Sequence, residues 1–352
     1  MSRVLYLFGE STGGIANYIR GLTKGNDDYN FLVYPSKEEE DRFARRFPGY
    51  SGMRFQYRGS LLFVLPNLWG LSRRIKKNRI ELINAHALKF GVYMIVLRLL
   101  LPRKIRLVYT DHGSPYLQTK FWFKKAFLFL IELLVTLCSD MRICIRENEF
   151  IVWKSKSSKT ALVPTRVNLP NLKKKITKGT STKVIMVGTL YDLKNPLFFR
   201  DVAKHFERSE DVNFSWIGPK GSDASLNQII IQSNAVDYLG EMEFQDVQSI
   251  MREADILLLS SKVEVTPLVM FEAFSSDTLV ISNDWLGVDS FITHGSNGFI
   301  QNEVKSVVDV IDSYSRNKDE FKSIIRRAKD NATSKFSNLE EFRNEYFQVL
   351  YG

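Results

Sequence analysis

Two glutamates in the second half of the chain have the side-chain type and spacing to bind a ligand rich in hydroxyl groups. Glu264 follows the apolar run 255–260, which is typical of a buried strand, and Glu272 lies in an apolar helix pattern. Thr266 suits the N-cap of that helix and Pro267 its first position, where the missing amide hydrogen would be unpaired anyway. Because an unpaired buried carboxylate is costly, Glu272 needs a partner, and the two hydroxyls of a ribose would provide one.

The start of the same helix is suited to an anion. The amides of Leu268 and Val269 would point out of the helix N-terminus, where the backbone dipoles favour a group such as a diphosphate. The alternative without a ligand is that Glu272 pairs with a neighbouring lysine or arginine and that Glu264 is solvated.

The elements that must position these residues alternate between strand-length apolar runs and helix-length segments. The predicted strands cover 4–8, 31–34, 54–57, 82–85, 106–110, 142–145, 160–163, 184–187, 213–217, 237–239, 256–259, 279–282 and 298–300. This alternation predicts right-handed βαβ units on mostly parallel sheets. The polar segment 168–182 interrupts it and indicates a linker. The predicted fold is therefore α/β, with two doubly wound Rossmann-like domains that face a cleft and bind ligands at the carboxyl ends of their strands.

Loops after strands of the first half carry further candidates. Gly13 and Gly14 follow the first strand and open a helix, so the backbone there could approach a phosphate closely, although a plain loop is the alternative. His112 directly follows a buried strand, at the edge where sites form. Its alternative role is that of a structural histidine bonded to a backbone carbonyl. His86 also ends a strand, with less reason to expect contact with a ligand.

Several segments occur in an order typical of one enzyme family and cover most of the chain. Besides the two glutamates, which have seven residues between them, these are 187–196 (VGTLYDLKNP), 217–221 (IGPKG), 238–242 (YLGEM), 284–298 (ending HGSNG) and 335–351. Together they resemble the retaining glycosyltransferases of the GT-B fold, of the family-four or group 1 type. The resemblance implies that the last helix crosses back to the first domain.

The resemblance implies a role for each matching residue. Glu272 would bind the ribose of a sugar nucleotide. His112 and Glu264 would contact the donor sugar, and Lys194 would neutralise the leaving diphosphate. The other donor-binding residues would be Gly13, Gly14, Gly188, Gly218, Met242, Thr266, Leu268 and Val269.

One position departs from the family pattern. Thr189 follows Gly188 where the family usually has an arginine. Lys194 would then stabilise the leaving group alone, unless Arg166 or another residue replaces the missing arginine.

The activity that the resemblance implies is transfer of a hexose-type sugar, with retention, from a nucleotide-sugar donor to a lipid-linked or growing polysaccharide acceptor. Capsule, O-antigen or exopolysaccharide synthesis is the expected setting. Residues 1–167 would bind the acceptor, 183–335 would bind the nucleotide-sugar, and a helix over 336–352 would pack on the first domain. Because the sequence has no Asp-x-Asp pair, a metal-clamped diphosphate is not expected, and no cofactor is predicted.

Other functions on the same fold remain open at the level of sequence. The chain could be a non-catalytic sugar-nucleotide-binding partner of a glycan-synthesis complex, a reading that Thr189 favours. The intact glutamates, lysine and histidine oppose it. A sugar-nucleotide epimerase or a phosphorylase is also possible, but the basic, aromatic-rich first half argues against a purely small-molecule acceptor.

The charge is concentrated in the first half and suggests a polyanionic surface as partner. Residues 1–165 hold 27 Lys and Arg against 13 Asp and Glu, whereas the whole chain has a net charge of +10. The residues expected at an anionic membrane surface are Arg73, Arg74, Lys76, Lys77, Lys120, Lys124 and Lys125, interleaved with aromatic residues. The alternative is that the aromatics are core and the charges a solvated face. No nucleic-acid-binding motif is present.

The expected location is cytoplasmic, with peripheral association at the inner face of the plasma membrane. Two cysteines cannot build a disulfide framework, which fits a reducing compartment. The N-terminal segment reads as a first strand rather than an export signal, and the longest apolar runs are interrupted by Arg98 and Glu132.

Overall fold

The chain forms two compact α/β units, each built on one parallel sheet. The computed structural model describes residues 3–9, 14–23, 29–34, 37–57, 61–119, 121–166 and 181–352. One unit comprises Met1–Arg166 and Leu339–Gly352, and the other comprises Val167–Asn338. The predicted α/β class with two doubly wound domains is confirmed.

The first unit has a seven-stranded sheet in the order β3-β2-β1-β4-β5-β6-β7, with every strand pair parallel. Its strands are β1 (Arg3–Leu7), β2 (Tyr29–Tyr34), β3 (Ser51–Arg54), β4 (Leu82–His86), β5 (Arg106–Asp111), β6 (Met141–Cys144) and β7 (Thr160–Leu162). The strand order reverses between β1 and β4, which marks the edge where such sheets bind ligands. The central strand β4 is buried at every residue, as parallel sheets covered on both faces require.

Among the described residues, seven helices connect these strands, and an eighth comes after the second unit along the chain. They are α1 (Gly14–Thr23), α2 (Lys37–Arg46), α3 (Leu61–Lys77), α4 (Leu88–Leu100), α5 (Pro115–Gln118), α6 (Trp122–Cys138), α7 (Glu147–Lys154) and α14 (Leu339–Tyr351). Of the described helices in the whole chain, none is long and apolar enough to cross a membrane.

Two boundaries in this unit differ from the predictions. The strand expected at 54–57 lies at Ser51–Arg54, because the aromatic residues Phe55 and Tyr57 serve the core just beyond the strand. The sequence also predicts a helix over 65–77, and the helix observed there, α3, begins at Leu61 and contains Pro66. Val64 is buried in the same core, so packing extends the helix to the N-terminal side of the proline.

The second unit has a six-stranded parallel sheet in the order β10-β9-β8-β11-β12-β13. Its strands are β8 (Thr182–Val187), β9 (Val212–Ile217), β10 (Asp237–Gly240), β11 (Ile256–Leu259), β12 (Leu279–Ser282) and β13 (Phe299–Ile300). Its helices are α8 (Pro196–Lys204), α9 (Ala224–Ile231), α10 (Phe244–Glu253), α11 (Leu268–Ser275), α12 (Val304–Arg316) and α13 (Lys322–Phe336). Most of the segment predicted as a linker, 168–182, lies outside the described residues, but its last residue begins β8 and is buried.

The C-terminal helix α14 packs in the first unit. Its residues Phe342, Tyr346 and Leu350 are buried, and the Tyr346 hydroxyl lies 3.0 Å from the Thr110 hydroxyl. The Arg343 guanidinium donates to the Gly21 carbonyl at 2.7 and 2.9 Å. These contacts tie the end of the chain to α1 and to the carboxyl end of β5.

Candidate active site

Two loops at the carboxyl edge of the second sheet are bonded to each other. They follow β8 and β11, which are adjacent parallel strands. The Ser260 hydroxyl donates to the Lys194 carbonyl at 2.8 Å, and the Lys262 amide donates to the Leu193 carbonyl at 2.8 Å. Because both loops also end rigid strands, the side chains they carry are held in fixed positions.

Lys194 and Glu264 form an ion pair between these two loops. The Lys194 ammonium contacts the Glu264 carboxylate, and the Ser261 hydroxyl donates to the same carboxylate oxygen at 2.6 Å. The Lys194 and Glu264 side chains are only 16% and 10% exposed. The alternative that Glu264 is solvated is therefore wrong, and Lys194 is not a free loop lysine. Ser261 was not predicted as a site residue, because its contact depends on the turn that brings Glu264 back toward it.

Glu272 lies in α11 and is half-buried. None of the described residues forms a hydrogen bond or an ion pair with its carboxylate. Burial raises the pKa of Glu272 to about 7, because desolvation penalises its charged form. The alternative in which Glu272 pairs with a lysine or arginine is not observed, and the ion pair belongs to Glu264 instead. A carboxylate left without a partner in this position is available to a ligand.

Helix α11 begins one residue later than predicted. Its N-cap is Pro267, which has an extended ψ of 99° and makes no side-chain capping bond. The prediction that Thr266 caps this helix is wrong, because the extended backbone of Pro267 postpones the first helical residue to Leu268. Along this helix, the first backbone amide that donates to a preceding carbonyl is that of Met270, which bonds to the Pro267 carbonyl at 3.0 Å. No acceptor in the described part of the chain takes the Leu268 or Val269 amide, so both can meet an anion.

Gly188 and Gly218 lie against each other at the carboxyl edge of the second sheet. Gly218 has a φ of 144°, and a Cβ there would lie 2.2 Å from the Gly188 carbonyl oxygen. That oxygen accepts a hydrogen bond from the Trp216 indole at 2.8 Å, and the Tyr238 hydroxyl donates to the Gly218 carbonyl at 2.9 Å. Only glycine fits at position 218. Met242 follows β10 half-buried, packed against the core of the unit.

Thr189 occupies the position where the family usually has an arginine, and Arg166 is the residue considered as its replacement. Thr189 lies half-buried between Gly188 and Leu190. The Arg166 guanidinium pairs with the carboxylates of Glu341 and Glu345 on α14, the latter at 3.6 Å. Because both partners belong to the first unit, Arg166 is engaged there, and the structure gives no support for its replacing the arginine.

His112 lies at the carboxyl edge of the first sheet and contacts a second histidine. Strands β4 and β5 are adjacent, so His86 at the end of β4 faces the residues at the end of β5. The His86 Nδ1 atom lies 2.8 Å from His112 Nε2. Burial lowers the pKa of His112 to about 3 and the pKa of His86 well below its usual value, so both imidazoles are neutral near pH 7. The Tyr18 ring meets His112 edge-on, with ring centroids 4.8 Å apart.

A buried charge cluster, formed by Asp111, Glu132 and Arg142, supports the loop that carries His112. The Arg142 guanidinium pairs with Asp111 and, at 3.0 Å, with Glu132. Glu132 accepts from the Tyr116 amide at 2.9 Å and from the Ser114 hydroxyl at 2.5 Å. The loop is therefore bonded to the cluster on both sides of His112. No sequence pattern predicts this cluster, and its one indication in the sequence is the single glutamate inside the apolar run of α6.

Of the two glycines after β1, Gly13 and Gly14, the structure describes Gly14. Gly14 is the first residue of α1, and a Cβ there would meet nothing within 4 Å. Open space at that point is compatible with a ligand near the backbone. Gly13 lies outside the described residues, so its role stays a prediction.

Helices α3, α4 and α6 pack side by side and expose aromatic residues next to basic ones. On α6, Trp122 is 80% exposed, and Phe123 and Phe127 are also exposed. The alternative that these aromatics are core is wrong. On α3, the Arg73 guanidinium stacks 3.5 Å from the centroid of Trp69. Of the predicted surface cations, Arg73, Arg74, Lys76, Lys77 and Lys124 are exposed, Lys125 is half-buried, and Lys120 lies outside the described residues.

The sequence predicts no metal site. Within the described ranges, no three His, Cys, Asp or Glu side chains are grouped so that they could hold a metal ion.

Family models match both halves of the chain. The model described as Glycosyltransferase Family 4 matches residues 12–164, and the one described as Glycosyl transferases group 1 matches residues 170–331. A protein from the cps region of Klebsiella pneumoniae is 24% identical, over 89% of this chain and 90% of that protein. The Escherichia coli UDP-Gal:alpha-D-GlcNAc-diphosphoundecaprenol alpha-1,3-galactosyltransferase is 24% identical, over 72% of this chain and 70% of its own.

Solved structures share the fold at low sequence identity. Anabaena HepE in complex with UDP and glucose superposes with a TM-score of 0.80 at 15% identity, covering 99% of both chains. The sucrose-phosphate synthase of Thermosynechococcus elongatus also has a TM-score of 0.80 at 15% identity, over 99% of this chain and 98% of its own. These likenesses show the two-domain Rossmann-like architecture.

Proposed function

Because this chain is a glycosyltransferase of the GT-B fold, we propose that it transfers a hexose, with retention, from a UDP-sugar to a lipid-linked or growing polysaccharide acceptor. The observation that carries the proposal is the arrangement at the carboxyl edge of the second sheet. It combines the Lys194–Glu264 ion pair with an unpartnered, half-buried Glu272 and the open amides of α11.

The donor is proposed to bind along this edge through its ribose and diphosphate. Glu272 accepts hydrogen bonds from the two ribose hydroxyls, which gives its carboxylate the partners it lacks. The Leu268 and Val269 amides meet the diphosphate or the sugar, and the loops at Gly218 and Met242 surround the base. Uridine is proposed because the E. coli relative is named for UDP-Gal and HepE is described in complex with UDP-glucose.

Lys194 is proposed to stabilise the leaving diphosphate. Its ammonium has three hydrogens, and with one directed at Glu264 two remain for diphosphate oxygens. Negative charge grows on the diphosphate as its bond to the anomeric carbon breaks. A fixed cation and helix amides at that point stabilise the charge without a metal.

The proposed step keeps the configuration of the anomeric carbon. The acceptor oxygen bonds to that carbon on the face from which the diphosphate leaves, and the acceptor proton moves to a diphosphate oxygen. Glu264, held by Ser261 and Lys194, binds a hydroxyl of the sugar and is not a covalent nucleophile. His112 is the residue of the first unit that we assign to the donor sugar.

The acceptor is proposed to come from a membrane surface. The exposed aromatic residues of α6 and the basic residues of α3 and α6 form a surface suited to anionic lipid. A cytoplasmic enzyme bound peripherally at the inner face of the membrane would meet a lipid-linked sugar there. The E. coli relative is named for a diphosphoundecaprenol-linked substrate, and the Klebsiella relative is described as a protein in a cps region, which support this choice.

A transfer assay tests the proposal. Purified protein is incubated with radiolabelled UDP-galactose or UDP-glucose and with undecaprenyl-diphosphate-linked sugars, and the label extracted with lipid is measured. Label should appear in the lipid fraction, in an α-linkage for an α-configured donor. Lys194→Ala should lower kcat by about a hundredfold or more, since it removes the cation at the leaving group.

Lys262→Ala is the matched control. Lys262 lies on the neighbouring loop after β11, and its exposed pair with Asp192 contributes little. Equal activity of the Lys194 and Lys262 variants would contradict the role of Lys194, and an inverted linkage would refute retention.

A further inference from the structure

We propose that His86 is a positioning residue that fixes His112 in the tautomer with its proton on Nδ1, so that His112 presents a hydrogen-bond donor to the substrate. The proposal rests on the proposed function in one respect only, the assignment of His112 to the donor sugar. It concerns which ring atom of His112 carries the proton, and therefore what chemistry His112 offers.

One hydrogen bond joins the two rings, and a single proton lies in it. His86 Nδ1 lies 2.8 Å from His112 Nε2, which is a hydrogen-bond distance between two ring nitrogens. Burial holds the pKa of both imidazoles below neutrality, so each ring carries one N–H near pH 7. Either His86 donates to His112 or the reverse, and each choice fixes both tautomers.

The second ring nitrogen of His86, Nε2, decides between these two directions of the hydrogen bond. His86 is fully buried, and among the described residues its Nε2 atom has no hydrogen-bond partner. If His112 donated, the proton of His86 would sit on Nε2 as a buried donor without an acceptor. Unpaired buried N–H groups are rarer in proteins than under-satisfied acceptors. The favoured state therefore has the His86 proton on Nδ1, donated to His112 Nε2.

The proton of His112 then lies on Nδ1. His112 is half-buried, whereas His86 is closed off from solvent. Of the two rings, only that of His112 is therefore accessible to a substrate. The ring is held from the side by Tyr18, whose centroid lies 4.8 Å away, and its loop is bonded to the buried charge cluster. A neutral imidazole held in this way donates one hydrogen bond in a fixed direction, which suits a sugar hydroxyl oxygen.

The tautomer can be observed directly by nitrogen NMR of protein labelled at histidine. The chain has four histidines, and His205→Asn removes an exposed one to help assignment. Near neutral pH we expect His112 to show a protonated Nδ1 and a bare Nε2, and His86 the same pattern. A proton on His112 Nε2, or a charged His112 ring, would overturn the proposal.

Two variants test the consequence for transfer. His86→Asn places an amide donor near the former Nδ1 position, whereas His86→Leu fills the space without a donor. We expect His86→Leu to lower kcat about tenfold with little change in KM for the donor, and His86→Asn to recover activity to within about threefold, as expected for loss of one oriented hydrogen bond. Equal losses in both variants, or full activity of His86→Leu, would contradict a positioning role.

The two readouts separate this inference from the proposed function. The NMR spectrum requires no substrate, so the tautomer is established even if the protein transfers no sugar. The expected tautomer in a protein without transfer activity would refute the proposed function alone. His86→Asn also guards against a folding defect in His86→Leu, because its spectrum should still place the His112 proton on Nδ1.

Discussion

At the scale of single residues, the burial of Glu272 has a cost to stability that its proposed role in donor binding would explain. Glu272 is half-buried, its carboxylate has no partner among the described residues, and its pKa is raised to about 7. A raised pKa means that the folded state binds the proton more tightly than the unfolded chain does. The stability contributed by the neutral form is therefore complete at low pH and is lost as the pH rises through about 7.

Glu272→Gln should therefore stabilise the free protein at alkaline pH and weaken its affinity for a UDP-sugar. We expect a higher melting temperature than that of the unchanged protein at about pH 8, and no difference at about pH 4, where both side chains are neutral. Affinity for a UDP-sugar should fall about tenfold to a hundredfold, because a hydrogen-bonded carboxylate is lost. Calorimetric titration and thermal unfolding measure the two effects.

Glu210→Gln, at an exposed carboxylate of the same unit, is the control and should change neither quantity. For the unchanged protein, affinity for a UDP-sugar should rise with pH through about 7, as the pKa of Glu272 requires. A UDP-sugar is used because its diphosphate diester does not titrate in this range. Affinity independent of pH would show that Glu272 does not bind the donor as a carboxylate.

At the scale of elements, sequence patterns predicted which strands and helices exist better than where each one ends. The strands of both sheets were identified because their apolar runs are separated by helix-length segments. The third strand was misplaced because only Met53 of β3 is buried, so the aromatics that follow it gave the stronger signal. Helix α5 was not predicted because four residues show little periodicity, and α7 was not predicted because its apolar residues do not gather on one face.

Site residues could be predicted from the sequence where they lie in one continuous segment, but the contacts between different segments could not. Glu264 and Glu272 share one strand–helix connection, so their spacing could be read directly. The pairing of Lys194 with Glu264 joins residues on two different loops, and the pairing of His86 with His112 joins the ends of two different strands. Such contacts depend on strand order, which local patterns do not specify.

Gly218→Ala tests the close approach of the loops after β8 and β9. A methyl group there would collide with the Gly188 carbonyl, and the backbone φ of 144° is strained for any other residue. We expect a loss of about 2 kcal/mol or more in the free energy of unfolding, together with weaker nucleotide binding. Chemical denaturation measures the first effect and titration the second.

Gly70→Ala is the matched control, because a Cβ at this position within α3 would meet nothing within 4 Å. That substitution should be neutral or stabilising by up to about 1 kcal/mol. Equal stability of the two alanine variants would show that the loops near Gly218 can relax around a methyl group.

At the scale of the whole molecule, the basic excess of the first half belongs to a unit that also exposes large aromatic side chains. We expect the protein to float with vesicles that contain anionic lipid and to remain unbound with neutral vesicles. Replacing Trp122, Phe123 and Phe127 by serine should reduce flotation at least tenfold, because the apolar part of the contact is removed. Added salt should also weaken binding.

Ile229→Ser, at an exposed apolar residue of the second unit, is the control for flotation. It should float as well as the unchanged protein does. Equal loss in both variants, or flotation that ignores lipid charge, would contradict a membrane surface on α3 and α6.

The most direct test of the central claim is thermal unfolding of the purified protein with UDP-, GDP-, ADP- and dTDP-sugars. A ligand bound only by the folded state stabilises it by about 2.7 kcal/mol at a hundredfold excess over its dissociation constant, so the melting temperature rises. We predict a clear rise with a UDP-sugar, and a markedly smaller rise in Glu272→Gln. No rise with any of the four nucleotide classes would contradict a nucleotide-sugar site at the carboxyl edge of the second sheet.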